Sequence, residues 1–215
     1  MVRTQVPTIL FLMETKLTMR EMESIKSELG FSSILAVSSE GRRGGLAMLW
    51  KSNVVLNTQT YSPHHINVQE LVPSTQPWRL TGIYSYSKEQ MKTETWRLMR
   101  HLKNRSTLPW LCIGDYNEIL HSEEKNDKHP RPLPLMVAFQ NTLLACRLID
   151  LGYSGYMYTW WNGREGEAFV EERLDRACAC LEWSELYPAA KVRHLTASYS
   201  DHDPIVIDTK PMNHQ

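Results

Sequence analysis

Long apolar runs are missing from this 215-residue sequence. The longest falls far short of the ~20 residues that a membrane helix needs, so no transmembrane segment and no membrane partner are expected. Net charge is missing too: 24 Lys and Arg balance 24 Asp and Glu, which removes bulk electrostatics as a route to nucleic-acid binding and leaves only a local patch. Cysteine is scarce. Cys112, Cys146, Cys178 and Cys180 follow no zinc spacing, and they are expected to be buried free thiols in a reducing, intracellular setting, nuclear or cytoplasmic, rather than disulfides of a secreted chain. The N-terminal stretch MVRTQVPTILFLM has no small-residue cleavage site, so it reads as a strand and not as a signal peptide. Internal repeats, low-complexity tracts and linkers are also absent, and 42% hydrophobic with 22% charged residues is ordinary globular usage. One α/β domain spanning residues 1–215 is the expectation.

The patterning fills in that domain. Residues 9–13 are an apolar run of strand length closed by Glu14. Thr18 with Glu21 forms a capping box, and Gly30 supplies a stop, predicting a helix over 19–29. Short β-type segments follow in residues 31–86: SSILAVS, LAMLW, VVLNTQTY, HINVQELV and WRLTGIYSY, separated by turns such as 41–45, which suggests an antiparallel meander. Ser87 with Gln90 reads as a second capping box. It opens a helix to about residue 104, with Met91, Thr95, Leu98 and Leu102 on one face and Lys88, Lys92, Arg97, Arg100 and Lys103 on a solvated one. A buried-type strand over 108–114 ends at Asp115 and leads into a polar loop, 121–132, of the mixed-charge kind that functional loops have. Met136, Phe139, Leu143 and Leu144 mark a further helix. Short strands or extended segments are expected over 148–151, 157–161 and 169–177 and strands over 191–197 and 205–209, with a helical turn or two over 181–187.

Glu14, Asp115, Asn117, Asp175, Asp201 and His202 each stand where such a run gives way to a polar turn, in FLMET, LCIGDYNE, ERLDR and SDH. Strand ends are where α/β scaffolds present catalytic groups. Four carboxylates, an amide and an imidazole are the parts needed for metal-assisted attack on a phosphate ester. Mg²⁺ prefers hard oxygen ligands, so Glu14, Asp175 and Asp201 are natural ligands. Asp115 could orient a water or transfer a proton to the leaving group, Asn117 could hold a phosphate oxygen, and His202 could act on the scissile phosphate.

The phrases FLMETK, GIYSYS, GDYNE, RLDR and SDHDPI resemble, in order and spacing over nearly the whole chain, the motifs of the endonuclease/exonuclease/phosphatase superfamily. GGLAMLW, PWLCIGDYNEIL, YTWWNGR and VEERLDRACA are most similar to the endonuclease domain of plant LINE-type retrotransposons. The resemblance implies a DNase-I-like fold, a four-layer α/β/β/α sandwich of two mixed β-sheets. It implies Mg²⁺ as cofactor, with Mn²⁺ as the alternative, and a DNA substrate nicked at a phosphodiester by a monomer with no obligate protein partner. It assigns Glu14 to the metal, Asp115 and Asn117 to the nucleophile and phosphate, and Tyr84 to the scissile phosphate. It also moves Asp175 from the metal to His202, which it orients, while Asp201 completes the metal-side network.

Two departures accompany the resemblance. Family members begin with a strand carrying an Asn that joins the metal and Asp network, and nothing before Pro7 matches it, so the fold is expected to be truncated at its N-terminus by about one strand. The loop SEEKNDKHPRP also lacks a glycine pair, and Arg131 is its nearest match to the retroelement pattern. Two other functions share the motifs: a catalytically inactive remnant of the domain, and a small-molecule or lipid phosphatase. Beyond the motifs, Asn162 and Arg164 read either as contacts for DNA or as solvated turn residues, and the Trp160–Trp161 pair offers a stacking surface with one of the two facing the core, whereas His64 and His65, pointing opposite ways on a strand, do not suit a metal pair and the Cys178–Cys180 pair reads as packing.

Overall fold

The computed structural model describes residues 2–39, 41, 44–71, 76–197 and 200–210. Residues 42 and 43 of the expected 41–45 turn and Val72, the end of one expected strand, lie outside the described residues. The chain divides into two compact units, Met1–Tyr84 and Ser85–Gln215.

The first unit contains α1 (Val2–Gln5), β1 (Ile9–Met13), α2 (Met19–Glu28), β2 (Ser33–Val37), β3 (Leu46–Trp50), β4 (Leu56–Ser62), β5 (His65–Glu70) and β6 (Trp78–Tyr84). β1 has the bounds of the expected apolar run, 9–13, and the residues before it include a helical turn rather than more strand. β3 lies between β1 and β2, antiparallel to both, and with neighbours on each side Leu46, Ala47, Met48 and Leu49 are fully buried. Both halves of the expected capping box at Thr18 form. The box sets the start of α2 so that Met22 reaches the core made by Phe31, Ala36, Ala47 and Leu49, a burial that contributes about 1.5–3 kcal/mol for a side chain of that size. The expected meander is β4-β5-β6. β3 packs on β5, and Phe11 lies so close over Gly82 that a Cβ there would stand 2.4 Å from its ring. Glycine is the residue that the approach permits.

The second unit contains α3 (Lys92–Asn104), β7 (Trp110–Asp115), β8 (Lys125–Asn126), α4 (Leu133–Cys146), β9 (Ile149–Asp150), β10 (Trp160–Trp161), β11 (Glu171–Glu172), β12 (Asp175–Ala179), α5 (Leu181–Leu186), β13 (Lys191–His194) and β14 (Ile205–Asp208). β12 pairs antiparallel with β7 on one side and β9 on the other. β11 lies between β10 and β8, and β13 pairs with β14. Trp96 of α3 stacks on Phe139 of α4 at 4.9 Å between ring centres, and Tyr116 meets the same ring at 5.0 Å.

Three expectations change here. The capping box at Ser87 does not open the helix: a 3-10 turn over Glu89–Met91 intervenes, and α3 begins at Lys92 with no side-chain cap. The later start turns the helix, so that Lys92, Trp96 and Met99 are buried with Thr95 and Leu102, while Met91 is exposed. The charged loop 121–132 is committed largely to internal ion pairs. Glu124 accepts from Arg173 and Arg176, both of which also reach Asp150, and Arg131 pairs with Glu172 and Glu118. Leu144 points outward. All four cysteines are free and buried, and burial pushes the Cys178 thiol up to about 12. Among the described residues no helix is long and apolar enough to cross a membrane.

Candidate active site

The β7–β12 register sets Asp115 directly opposite Asp175. Facing like charges on neighbouring strands repel, so each carboxylate needs a partner, and each has one. Asp115 ends β7, and the chain then turns through Asn117 in the left-handed region at φ 50°. That turn brings the Asn117 backbone N–H to Asp115 Oδ1 at 2.7 Å and its side-chain Nδ2 to Oδ2 at 2.7 Å. Nδ2 also donates to the Ser85 carbonyl at 3.0 Å. Both amide hydrogens of Asn117 are thereby used, which leaves Oδ1, an acceptor.

Asp175 is buried, and its partner is His202, whose Nδ1 lies 2.8 Å from Oδ2. An ionised carboxylate only accepts, so Nδ1 carries the proton. Thr159 fixes the Asp175 end, its hydroxyl accepting from the backbone N–H groups of Leu174 and Asp175. The same segment holds the SDH turn. Trp160 bridges to His202, the Trp161 N–H donates to the Asp201 carbonyl, and the Asp203 N–H donates to the Thr159 carbonyl. Burial alone would depress the imidazole. The Asp175 hydrogen bond and charge, with the charges of Asp115 and Asp201, outweigh it and raise His202 from 6.5 to about 9. His202 is therefore a cation at neutral pH, held by one nitrogen and presenting a second donor.

Asp201 is exposed, with Oδ2 accepting from Trp160 Nε1 at 3.2 Å. Trp160 packs against Ile119, Met136 and Leu174, so of the tryptophan pair it is Trp161 that is exposed. Asn162 does not reach outward: its side chain closes its own hairpin, donating to Ala168 and accepting from Arg164 and Val170. Arg164 is exposed.

In the first unit, Glu14 follows β1 with φ 49°, and the Tyr84 hydroxyl at the end of β6 donates to its Oε1. Lys16 lies 3.7 Å from Oε2, and the Glu14 side chain is 51% exposed. His64 fixes Tyr84 through two backbone contacts, its carbonyl accepting from the Tyr84 N–H at 3.0 Å and its Nδ1 lying 2.9 Å from the Tyr84 carbonyl. His64 stands in the turn before β5 rather than on a strand, and His65, the first residue of β5, reaches Ser62 and Thr60. Among the described residues no three His, Cys, Asp or Glu side chains are gathered as a metal cage. Exposed hard-oxygen carboxylates such as Glu14 and Asp201 suit a cation like Mg²⁺, which takes one or two carboxylates and keeps its waters.

Sequence reasoning missed Lys92, Glu118 and Thr159. Glu118 carried a signal, since it directly follows Asn117 within GDYNE. The other two are revealed only by tertiary contact.

No protein-family model matches the chain, and no curated protein matches it in sequence. Solved structures do match. AP endonuclease LMAP from Leishmania major superposes with a TM-score of 0.75 at 15% identity, over 95% of this chain and 78% of its own. The AP endonuclease from Archaeoglobus fulgidus gives 0.73 at 17% identity, over 98% and 91%. The endonuclease domain of TRAS1, a telomere-specific non-LTR retrotransposon, gives 0.71 at 13% identity, over 98% and 89%. The chain has the DNase-I-like α/β fold that these AP endonucleases share with a retrotransposon endonuclease domain.

Proposed function

We propose that the chain is a Mg²⁺-dependent phosphodiesterase that nicks DNA, an endonuclease domain of retroelement origin resembling those of plant LINE elements. The observation that carries this reading is the Asp175–His202 pair set beside the Asp115–Asn117 pair. The fold shared with AP endonucleases and the TRAS1 domain supports it.

The residues divide the chemistry as follows. His202, a cation near neutrality, donates from its outer nitrogen to a phosphoryl oxygen and stabilises charge that grows there in the transition state. Asp175 holds the ring and sustains its charge. Asp115, which accepts two N–H groups of Asn117, takes the proton of the attacking water. Asn117 has spent both N–H groups, so its Oδ1 accepts from that water; holding a phosphate oxygen would require a donor it no longer has. Tyr84 orients the Glu14 carboxylate. Glu14 in the first unit and Asp201 in the second are each suited to hold Mg²⁺, which when bound neutralises phosphoryl charge as a Lewis acid.

Purified protein should convert supercoiled plasmid to nicked circles with Mg²⁺ and not with EDTA. His202→Ala and Asp115→Asn should each slow nicking by about 10²- to 10⁴-fold. Wild-type protein that fails to nick, or that releases phosphate from inositol phosphates without nicking, would overturn the proposal, the first outcome in favour of an inactive remnant and the second in favour of a phosphatase.

A further inference from the structure

The Asn117 turn rests on a buried cation that the reaction itself does not use. Lys92 is 2% exposed and Glu118 fully buried. Lys92 Nζ donates to Glu118 Oε2 at 2.7 Å and to the backbone carbonyl of Asn117. Glu118 Oε1 lies 3.1 Å from Arg131 Nε, and Arg131 in turn pairs with Glu172. Lys92 is the first residue of α3, where a cation opposes the helix macrodipole, and desolvating an ammonium is costly unless its partners are well placed. Helix formation therefore gives no reason for a lysine here.

Asn117 supplies the reason. Asparagine is among the few residues with a Cβ that visit the left-handed region, though even for it negative φ is the commoner choice, and φ 50° at Asn117 is what aims both its backbone and side-chain N–H groups at Asp115. We propose that Lys92, with Glu118 as its counterion, is a positioning residue that locks the Asn117 turn through its carbonyl and so keeps the Asn117 amide on Asp115. Lys92 touches no reacting atom. Released from it, the turn relaxes toward negative φ, Asn117 withdraws from Asp115, and the alignment of the attacking water is lost.

The inference rests on the nuclease reading, so its test has one arm that does not depend on turnover. Lys92→Met with Glu118→Met removes both charges together and spares the fold an unpaired buried ion, while Arg131 keeps Glu172. The folded double variant should keep its KM for plasmid and lose kcat on the order of 100-fold, the scale of a misaligned reacting group. Lys92→Arg, which retains the charge and carries several N–H donors, should recover most of the rate. A double variant with wild-type kcat, or a loss confined to KM, would overturn the proposal, as would Lys92→Arg that folds but turns over no faster than the double variant. The second arm reads the Asn117 side-chain amide by ¹⁵N NMR in protein without DNA. Its two hydrogens should be inequivalent and slow to exchange in wild type, and move toward free-amide behaviour in the double variant. An unchanged Asn117 signal refutes the positioning role even where the wild-type protein does not nick, a failure that would count against the nuclease reading alone.

Discussion

Replacing Asp175 with Asn should lower the His202 titration by well over one pH unit. In the native protein, burial of the imidazole is opposed by the Asp175 hydrogen bond and by the charges of Asp175, Asp115 and Asp201, and the midpoint lies at about 9 rather than 6.5. That difference corresponds to about 2 to 3 kcal/mol, the lower figure allowing for solvent screening at a side chain 31% exposed. Because the folded-state value is raised, the stabilisation is complete below pH 6.5, fades as pH rises, and is gone above about 9. With Asn at position 175 the carboxylate charge is lost and only a neutral amide oxygen remains to accept, while burial remains, so the midpoint should drop by well over one unit. The assay is ¹H–¹³C NMR of the His202 Cε1–H between pH 5 and 10 in EDTA, paired with urea unfolding across the same range. A wild-type His202 midpoint at or below 6.5, or one that Asp175→Asn leaves in place, would refute the reasoning.

Three stability predictions follow from other parts of the chain. Thr18→Ala removes the α2 cap and should cost about 1 kcal/mol in urea unfolding with plasmid nicking unchanged; a loss of nicking in the folded protein would contradict the separation of cap and site. Gly82→Ala forces a Cβ to 2.4 Å from the Phe11 ring and should cost about 1–3 kcal/mol, relieved in part by adding Phe11→Leu; an effect below about 0.5 kcal/mol would show that the ring moves freely. Glu124→Ala removes one of the two carboxylates, Glu124 and Asp150, that the Arg173 and Arg176 guanidinium groups share and should cost about 3–5 kcal/mol at pH 7. Burial would raise the Glu124 carboxyl, but the Arg176 hydrogen bond and charge overcome it and hold the group below 4.5, so the difference between wild type and variant should shrink as pH falls below that value, and a difference that stays flat with pH would contradict the ion-pair account.

The legible parts of the fold were those where local chemistry and tertiary structure agree. The Thr18–Glu21 box, the apolar run ending at Glu14 and the buried strand ending at Asp115 each specify their element within a few residues, and the ends of the two strands are where the candidate residues Glu14 and Asp115 stand. What stayed hidden depends on distant partners. Lys92 reads as one more cation on a solvated helix face until the 3-10 turn over Glu89–Met91 delays the helix and turns that face inward. The charges of 121–132 look like a functional loop because their partners, Arg173, Arg176 and Asp150, lie far along the chain. The expected segments 157–161 and 169–177 do contain strands, Trp160–Trp161 and Glu171–Glu172 among them, but so few residues give alternation no hold on their bounds. The roles of Asn117 were open from its side chain alone, and only its hydrogen bonds to Asp115 and Ser85 show which end is left to act.

The most direct test of the central claim is the nicking rate of Asp175→Asn, His202→Ala and the double variant on one plasmid with Mg²⁺. If Asp175 acts by holding His202, residues working as a unit give non-additive losses. Each single substitution should then slow nicking by about 10²- to 10⁴-fold, and the double variant should be no slower than the worse single. Wild-type protein with no activity above His202→Ala, or a double variant whose loss is the product of the two, would contradict the account.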